Sequence, residues 1–133
     1  MTKVYQIEDA CVDLEMLIQG PIENNVYLIS DNSATFVVDP STDADEIIAA
    51  LGERSLDAIV LTHAHWDHVG AAADLAAKTG AMVIASEIDG KVISGEAKSY
   101  GGTREFDPCA VDVFVHDGDV VEIGSMAWKV LVT

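Results

Sequence analysis

The stretch from Asp57 to Ala85 constrains this chain most, because its pattern changes character three times in quick succession. It reads "DAIVL", "THAHWDH", "VGAAADLAAKTG" and "AMVIA". The first and last pieces are short apolar runs of the length of a buried strand. The third is long enough for a helix, with Gly80 as its C-terminal stop. Residues 62 to 68 therefore lie in the loop beyond the carboxyl end of a strand, where open α/β sheets usually place their ligands.

The flanks extend this pattern. In "CVDLEMLIQG" the residues Val12, Leu14, Met16 and Ile18 alternate with mostly polar neighbours, the period of a half-buried strand. "NVYLIS" and "TFVVDP" read as strands around a turn at Asp31-Asn32-Ser33, and Pro40 ends the second of them. A helix is expected over residues 43 to 51, with Ala44, Ile47, Ile48 and Leu51 on one stripe and Thr42 as its cap. Ser86 and Asp89 are expected to cap a short helix through Ser94. Residues 95 to 110 read as a long loop, a kind that is often functional. The remainder reads as strand, Asp-Gly turn, strand, Gly-Ser turn, strand. Strands, then alternating strands and helices, then strands again predict an α/β (α+β) fold of stacked sheet and helix layers.

Length and composition narrow the function. A chain of 133 residues is expected to be one domain with a real core. Seven Lys and Arg against 23 Asp and Glu give a formal charge of −16, which argues against a nucleic-acid partner. No apolar run has the length of a membrane helix, and the start lacks the pattern of a signal peptide. Cys11 and Cys109 form no CxxC pair and read as free thiols of a cytoplasmic protein.

Three of the four histidines fall within six positions, His63, His65 and His68, with Asp67 between the last two. Extended backbone across His63-Ala64-His65 turns both imidazoles to one side, able to chelate a metal at about 2.0–2.1 Å. Asp67 and His68 follow a reversal into the next helix and are placed to serve a second metal. Asp67 also lies near that helix's N-terminus, where a negative charge is favoured. Two metals roughly 3.5–4 Å apart activate a water between them and polarise the group it attacks. Imidazole with carboxylate suits zinc, iron or manganese alike.

The motif "THAHWDH" resembles that of the metallo-β-lactamase superfamily, and Trp66 within it resembles the glyoxalase II-like hydrolases in particular. "GPIENNVYLI", with Asn25-x-Tyr27, is similar to the family's early strand. "FVVDP" is similar to its Asp-Pro strand end, "HDGDVVEIG" to its Asp-Gly-Asp hairpin, and "WKVLVT" to the strand entering its Pro-Gly-His loop. Ser41 and Ala71 stand where the family usually or often has Gly. The resemblance implies a four-layer αβ/βα sandwich, of which this chain supplies mainly the N-terminal half and is C-terminally incomplete. It implies His63 and His65 as ligands of one metal and Asp67 and His68 as ligands of the other, with Asp67 the candidate catalytic residue. It implies Asp39 as a support for the motif loop. The family's remaining ligands, two histidines and a bridging aspartate, would lie beyond Thr133.

The implied activity is hydrolysis of a small-molecule thioester or ester, such as a hydroxyacylglutathione-like substrate, by hydroxide held between two divalent metals. Alternatives of similar motif are a mononuclear iron sulfur dioxygenase, a lactonase and a phosphodiesterase. A further alternative is a non-catalytic half-domain that forms a homodimer through exposed apolar surface. With four residues shared between two metals, the chain alone is expected to bind metal weakly. His116, before an Asp-Gly-Asp turn, is expected to be an exposed hairpin histidine and no replacement ligand. The turn lacks the spacing of a calcium loop.

Overall fold

The structure, a computed structural model, describes residues 2–7 (backbone only), 12–20, 23–62, 69–95 and 109–131. In chain order the elements are β1 (Thr2–Ile7), β2 (Val12–Gln19), β3 (Asn24–Ser30), β4 (Thr35–Val38), α1 (Ala44–Leu51), β5 (Ala58–Leu61), α2 (Ala72–Thr79), β6 (Met82–Ser86), α3 (Glu87–Ile93), β7 (Val113–Val115), β8 (Val120–Ile123) and β9 (Met126–Lys129). The first seven strands form one sheet in sequential order, and β8 pairs only with β9 in a second, two-stranded sheet. The pairs from β1 to β4 are antiparallel. Those from β4 to β7 are parallel.

This order decides where the helices go. Parallel crossovers are right-handed, and the strands advance in one direction from β4 to β7. All three helices must then cover the same face. Leu17, Val26, Val37, Ile59 and Val83 point to that face and pack with Ile47, Leu75 and Ile93 of the helices. Alternate residues point the other way: Phe36, Ala58 and Ile84 pack with Val115, Ile123 and Met126. The sheet is therefore apolar on both faces, as parallel strands require. In β2 the alternation of Val12, Leu14, Met16 and Ile18 marks only one face. The residues between them include Leu17 and Gln19, which are the more deeply buried.

The helix termini follow local chemistry. The cap of α1 is Asp43, whose side chain accepts the Glu46 N–H at 3.1 Å. It is not Thr42; the N–H groups of Thr42 and Asp43 both donate to Gln19 Oε1, at 3.2 and 3.4 Å. Gly80 ends α2 at φ 71°. Ser86 caps α3 by accepting the Asp89 N–H, and its own hydroxyl donates to the Asp89 carboxylate.

The Asp-Gly turn at 117–118 does not make a hairpin. It is the corner at which the chain leaves one sheet for the other. Gly118 N–H donates to Val130 O at 2.8 Å and Val130 N–H to Asp119 O at 2.7 Å, so the corner is stitched to the end of β9. Of the loop expected over 95 to 110, all but Gly95, Cys109 and Ala110 lies outside the described residues.

The β8–β9 hairpin lies over the sheet face that the helices leave free. At its tip, Asp31 accepts from Ser33 N–H (2.7 Å), Ala34 N–H (2.9 Å) and the hydroxyls of Ser33 (2.6 Å) and Ser125 (2.9 Å). The Ser33 hydrogen bonds above all hold this carboxyl down at about 2. Its contribution to stability is thus present above the ordinary carboxyl range and lost as pH falls through about 2. Trp128 meets Phe36 edge-to-face, with ring centroids 5.2 Å apart. Between hairpin and sheet runs a cavity of about 560 Å³ with apolar walls, and Thr62, Ser86 and Asp89 stand at one end of it.

Gly124 fixes the docking at the tip. Its φ is +59°, and an added Cβ would lie 2.6 Å from Ala34 Cβ and nearer still to Ser33 Oγ. Gly124→Ala is expected to cost about 1–3 kcal/mol in urea denaturation followed by tryptophan fluorescence. A loss within about 0.5 kcal/mol, the range of an ordinary surface change, would mean that the hairpin tip is not held there.

Candidate metal centre

The strand directions bring the ends of β2, β4, β5 and β6 to one edge of the sheet. Asp39 sits at this edge, directly after β4. Its φ of +53° is left-handed, a region Asp tolerates better than most residues. Its N–H donates to Val60 O at 2.9 Å. Its buried carboxylate faces the residue that leaves β5: Thr62 N–H donates to Oδ1 at 2.7 Å, and the Thr62 hydroxyl donates to Oδ2. One residue later, Pro40 O accepts the Ala71 N–H at 3.0 Å. The two-residue turn Asp39-Pro40 therefore grips the chain on both sides of the histidine motif.

The turn is itself anchored. Gln19 is 3% exposed, and its Nε2 donates to Asp43 O at 3.0 Å while Oε1 accepts from Thr42 N–H. This ties the end of β2 to the start of α1. Ser41, between Pro40 and Thr42, is 1% exposed. Its Oγ finds no hydrogen-bond partner among the described residues. The Asn25-x-Tyr27 pair lies at the same edge, at the start of β3, with Asn25 Nδ2 donating to Tyr27 OH at 3.4 Å.

His63, His65, Asp67 and His68 lie outside the described residues. Among the described residues no three His, Cys, Asp or Glu side chains gather as a metal-ligand group. His116 illustrates why. It is exposed, as expected, but engaged: Nε2 meets Glu87 Oε2 at 2.6 Å and Nδ1 meets Asp119 Oδ2 at 3.5 Å. The two carboxylates sit on opposite ring nitrogens, so they cannot converge on one ion.

Glu87, then Asp119, holds the His116 imidazole above its usual range. The stabilisation this adds is full below the unfolded pKa and is lost as pH rises through the folded value. In an NMR titration His116 is expected to titrate above 6.5 and to fall back toward that value in Glu87→Gln. An unchanged titration in the variant would dismiss the pair. Cys109 is a buried free thiol whose pKa is raised by burial, an inert arrangement. Cys11 lies outside the described residues.

Comparison with known proteins agrees with this frame. The profile of the Metallo-beta-lactamase superfamily matches residues 20–133. A hydroxyacylglutathione hydrolase of Rhodopseudomonas palustris (strain BisB18) is 35% identical over 115 residues, covering 84% of this chain and 39% of that protein. One of Francisella tularensis subsp. novicida (strain U112) is 29% identical over 117 residues, covering 87% and 40%. Among solved structures, a metallo-β-lactamase of Cronobacter sakazakii superposes with TM-score 0.76 at 26% identity, covering 89% of this chain and 50% of that one. The chain thus spans about half the length of the lactamase and less of the two hydrolases. It belongs to the metallo-β-lactamase superfamily, and its sheet and helices are the N-terminal half of that fold.

Members of this superfamily bind divalent metals, typically zinc. The residues of this chain suit such an ion. Three imidazoles and a carboxylate are a donor set for a borderline metal. Their segment is fixed at both flanks, and a spare buried hydroxyl lies beside the flanking turn. Sequence reasoning singled out Asp39, which bonds to Thr62 at this edge, but not Thr62, the Pro40 carbonyl or Gln19. Thr62 left one signal, its place between the strand end and the first histidine. A backbone carbonyl leaves none.

Proposed function

We propose that the protein is a dinuclear-metal hydrolase acting on thioesters of the hydroxyacylglutathione type. The observation that carries this reading is the grip of Asp39-Pro40 on both flanks of the H-x-H-x-D-H segment, where a family hydrolase needs a rigid ligand loop. The thioester choice is supported by the named activity of the curated relatives, by Trp66 and by the Asn25-x-Tyr27 pair.

In this reading His63 and His65 hold one metal, and Asp67 and His68 the other. When bound, the metals acidify a water and polarise the scissile carbonyl. Asp39 keeps Thr62, and with it the start of the ligand segment, in a fixed position. Preorganised ligands lose less order on binding, which is how such support raises affinity. A cytoplasmic location goes with this reading, since a reducing compartment leaves free thiols such as Cys109 unpaired.

The test is a substrate panel on the zinc-loaded protein in its longest natural form: a hydroxyacylglutathione, a lactone, a phosphodiester, a β-lactam and, with iron and oxygen, a persulfide. The thioester is expected to show a kcat/KM about tenfold or more above the others. Turnover of another member with the thioester untouched would sink the thioester reading.

A further inference from the structure

Protein interiors are close-packed, with few voids larger than a water molecule. The cavity of about 560 Å³ between the hairpin and the sheet departs from that rule. Both of its walls are apolar: Val38, Val60 and Ile84 come from the sheet, and Val121 and Ile123 from the hairpin. Such walls give water few hydrogen bonds, so an apolar occupant is favoured over solvent. Trp128 and Leu131, 37% and 71% exposed, carry the apolar surface out to the rim. The size is that of a small-molecule site.

The polar groups gather at one end. Thr62 follows β5 and Ser86 ends β6, so they stand at the carboxyl ends of two parallel strands, where open α/β sheets usually place ligands. Asp39 holds Thr62 at that edge. The Ser86 hydroxyl donates to the Asp89 carboxylate at 3.1 Å. A carboxylate there repels a second one. The head of the occupant is therefore uncharged: an ester or thioester fits, and a free fatty acid does not.

We propose that this cavity is a binding site for a straight aliphatic chain whose uncharged head lies at the Thr62 end. On the hydrolase reading given above, on which this second part rests, the chain belongs to the acyl group of the thioester. Hydrolysis by water yields the thiol and a carboxylate, and Asp89 disfavours that carboxylate and so favours its release.

Chain binding is tested on the metal-free protein in its longest natural form, by methyl NMR with hexanol, octanol and decanol. The methyls of Val60, Ile84 and Val121 are expected to shift. Kd is expected to fall about fourfold per added methylene, and octanoate to bind more weakly than octanol. Val121→Phe, which takes up the room of about two methylenes, should raise the octanol Kd about tenfold. In the zinc-loaded protein, kcat/KM for acyl thioesters should rise from acetyl through butyryl and hexanoyl to octanoyl. Unmoved methyls, or a Kd that does not fall with chain length, overturn the inference and leave the metal-hydrolase reading standing. A kcat/KM that stays level from acetyl to octanoyl overturns its second part. Length-dependent alcohol binding with no thioester turned over keeps the chain site and overturns the hydrolase reading instead.

Discussion

Asp39→Gly is expected to lower zinc affinity by about 10–100-fold, the range typical of groups that orient metal ligands. Glycine adopts φ +53° without strain, so the change removes the carboxylate and little else. Thr62 N–H and its hydroxyl lose the acceptors they have in Asp39. Thr62 is exposed, so water takes over part of what its donors lose, and the cost is about 1 kcal/mol, that of an ordinary hydrogen bond. Asp39→Ala adds backbone strain of about 1–2 kcal/mol at the same φ. Unfolding by urea should therefore rank wild type, Asp39→Gly and Asp39→Ala in falling order, while zinc affinity should fall alike in the two variants. Zinc affinity that tracked stability instead, with Asp39→Gly near wild type, would mean that the carboxylate serves the fold and not the ligand segment.

The second large effect is on catalysis. His63→Ala is expected to lower kcat/KM for the thioester by about three orders of magnitude or more. Polarisation by the metals is worth several kcal/mol of barrier, and each 1.36 kcal/mol is tenfold. The change should leave the melting temperature of the metal-free protein nearly unmoved, as expected of a side chain whose role is to hold metal. Steady-state kinetics beside a metal-free melt checks both halves. Normal thioester turnover by His63→Ala would remove the motif from the mechanism.

Much of the fold was legible because the chain is locally consistent. The runs around β4, β5 and β6 are apolar and bounded by turn residues, and Gly80 and Ser86 mark the ends of α2 and α3 as their chemistry requires. What the sequence hid were choices between local and distant partners. Thr42 and Asp43 are both good caps, and the cap is Asp43, in a segment that Gln19, far away in sequence, holds by bonds to the backbone of both residues. "HDGD" has the composition of a hairpin turn and closes a turn from Asp119 N–H to His116 O, yet Gly118 and Asp119 also bond to Val130, and β8 enters another sheet. In β2 the visible alternation marked one face, while Leu17 and Gln19 carry the deeper burial on the other. In the site, the ligand candidates were legible from spacing alone. Their supports were partly so: Asp39 by resemblance, Thr62 and Pro40 only once β4 and β5 are seen side by side.

The central claim is that the segment between Thr62 and Val69 binds divalent metal through its own histidines. X-ray absorption at the zinc edge, on wild type and on a His63→Ala, His65→Ala double variant, tests it most directly. Wild type should show imidazole scattering with zinc–ligand distances of about 2.0–2.1 Å, and the double variant should lose most of its zinc or the imidazole signal. The same imidazole shell and the same zinc content in both proteins would contradict the claim.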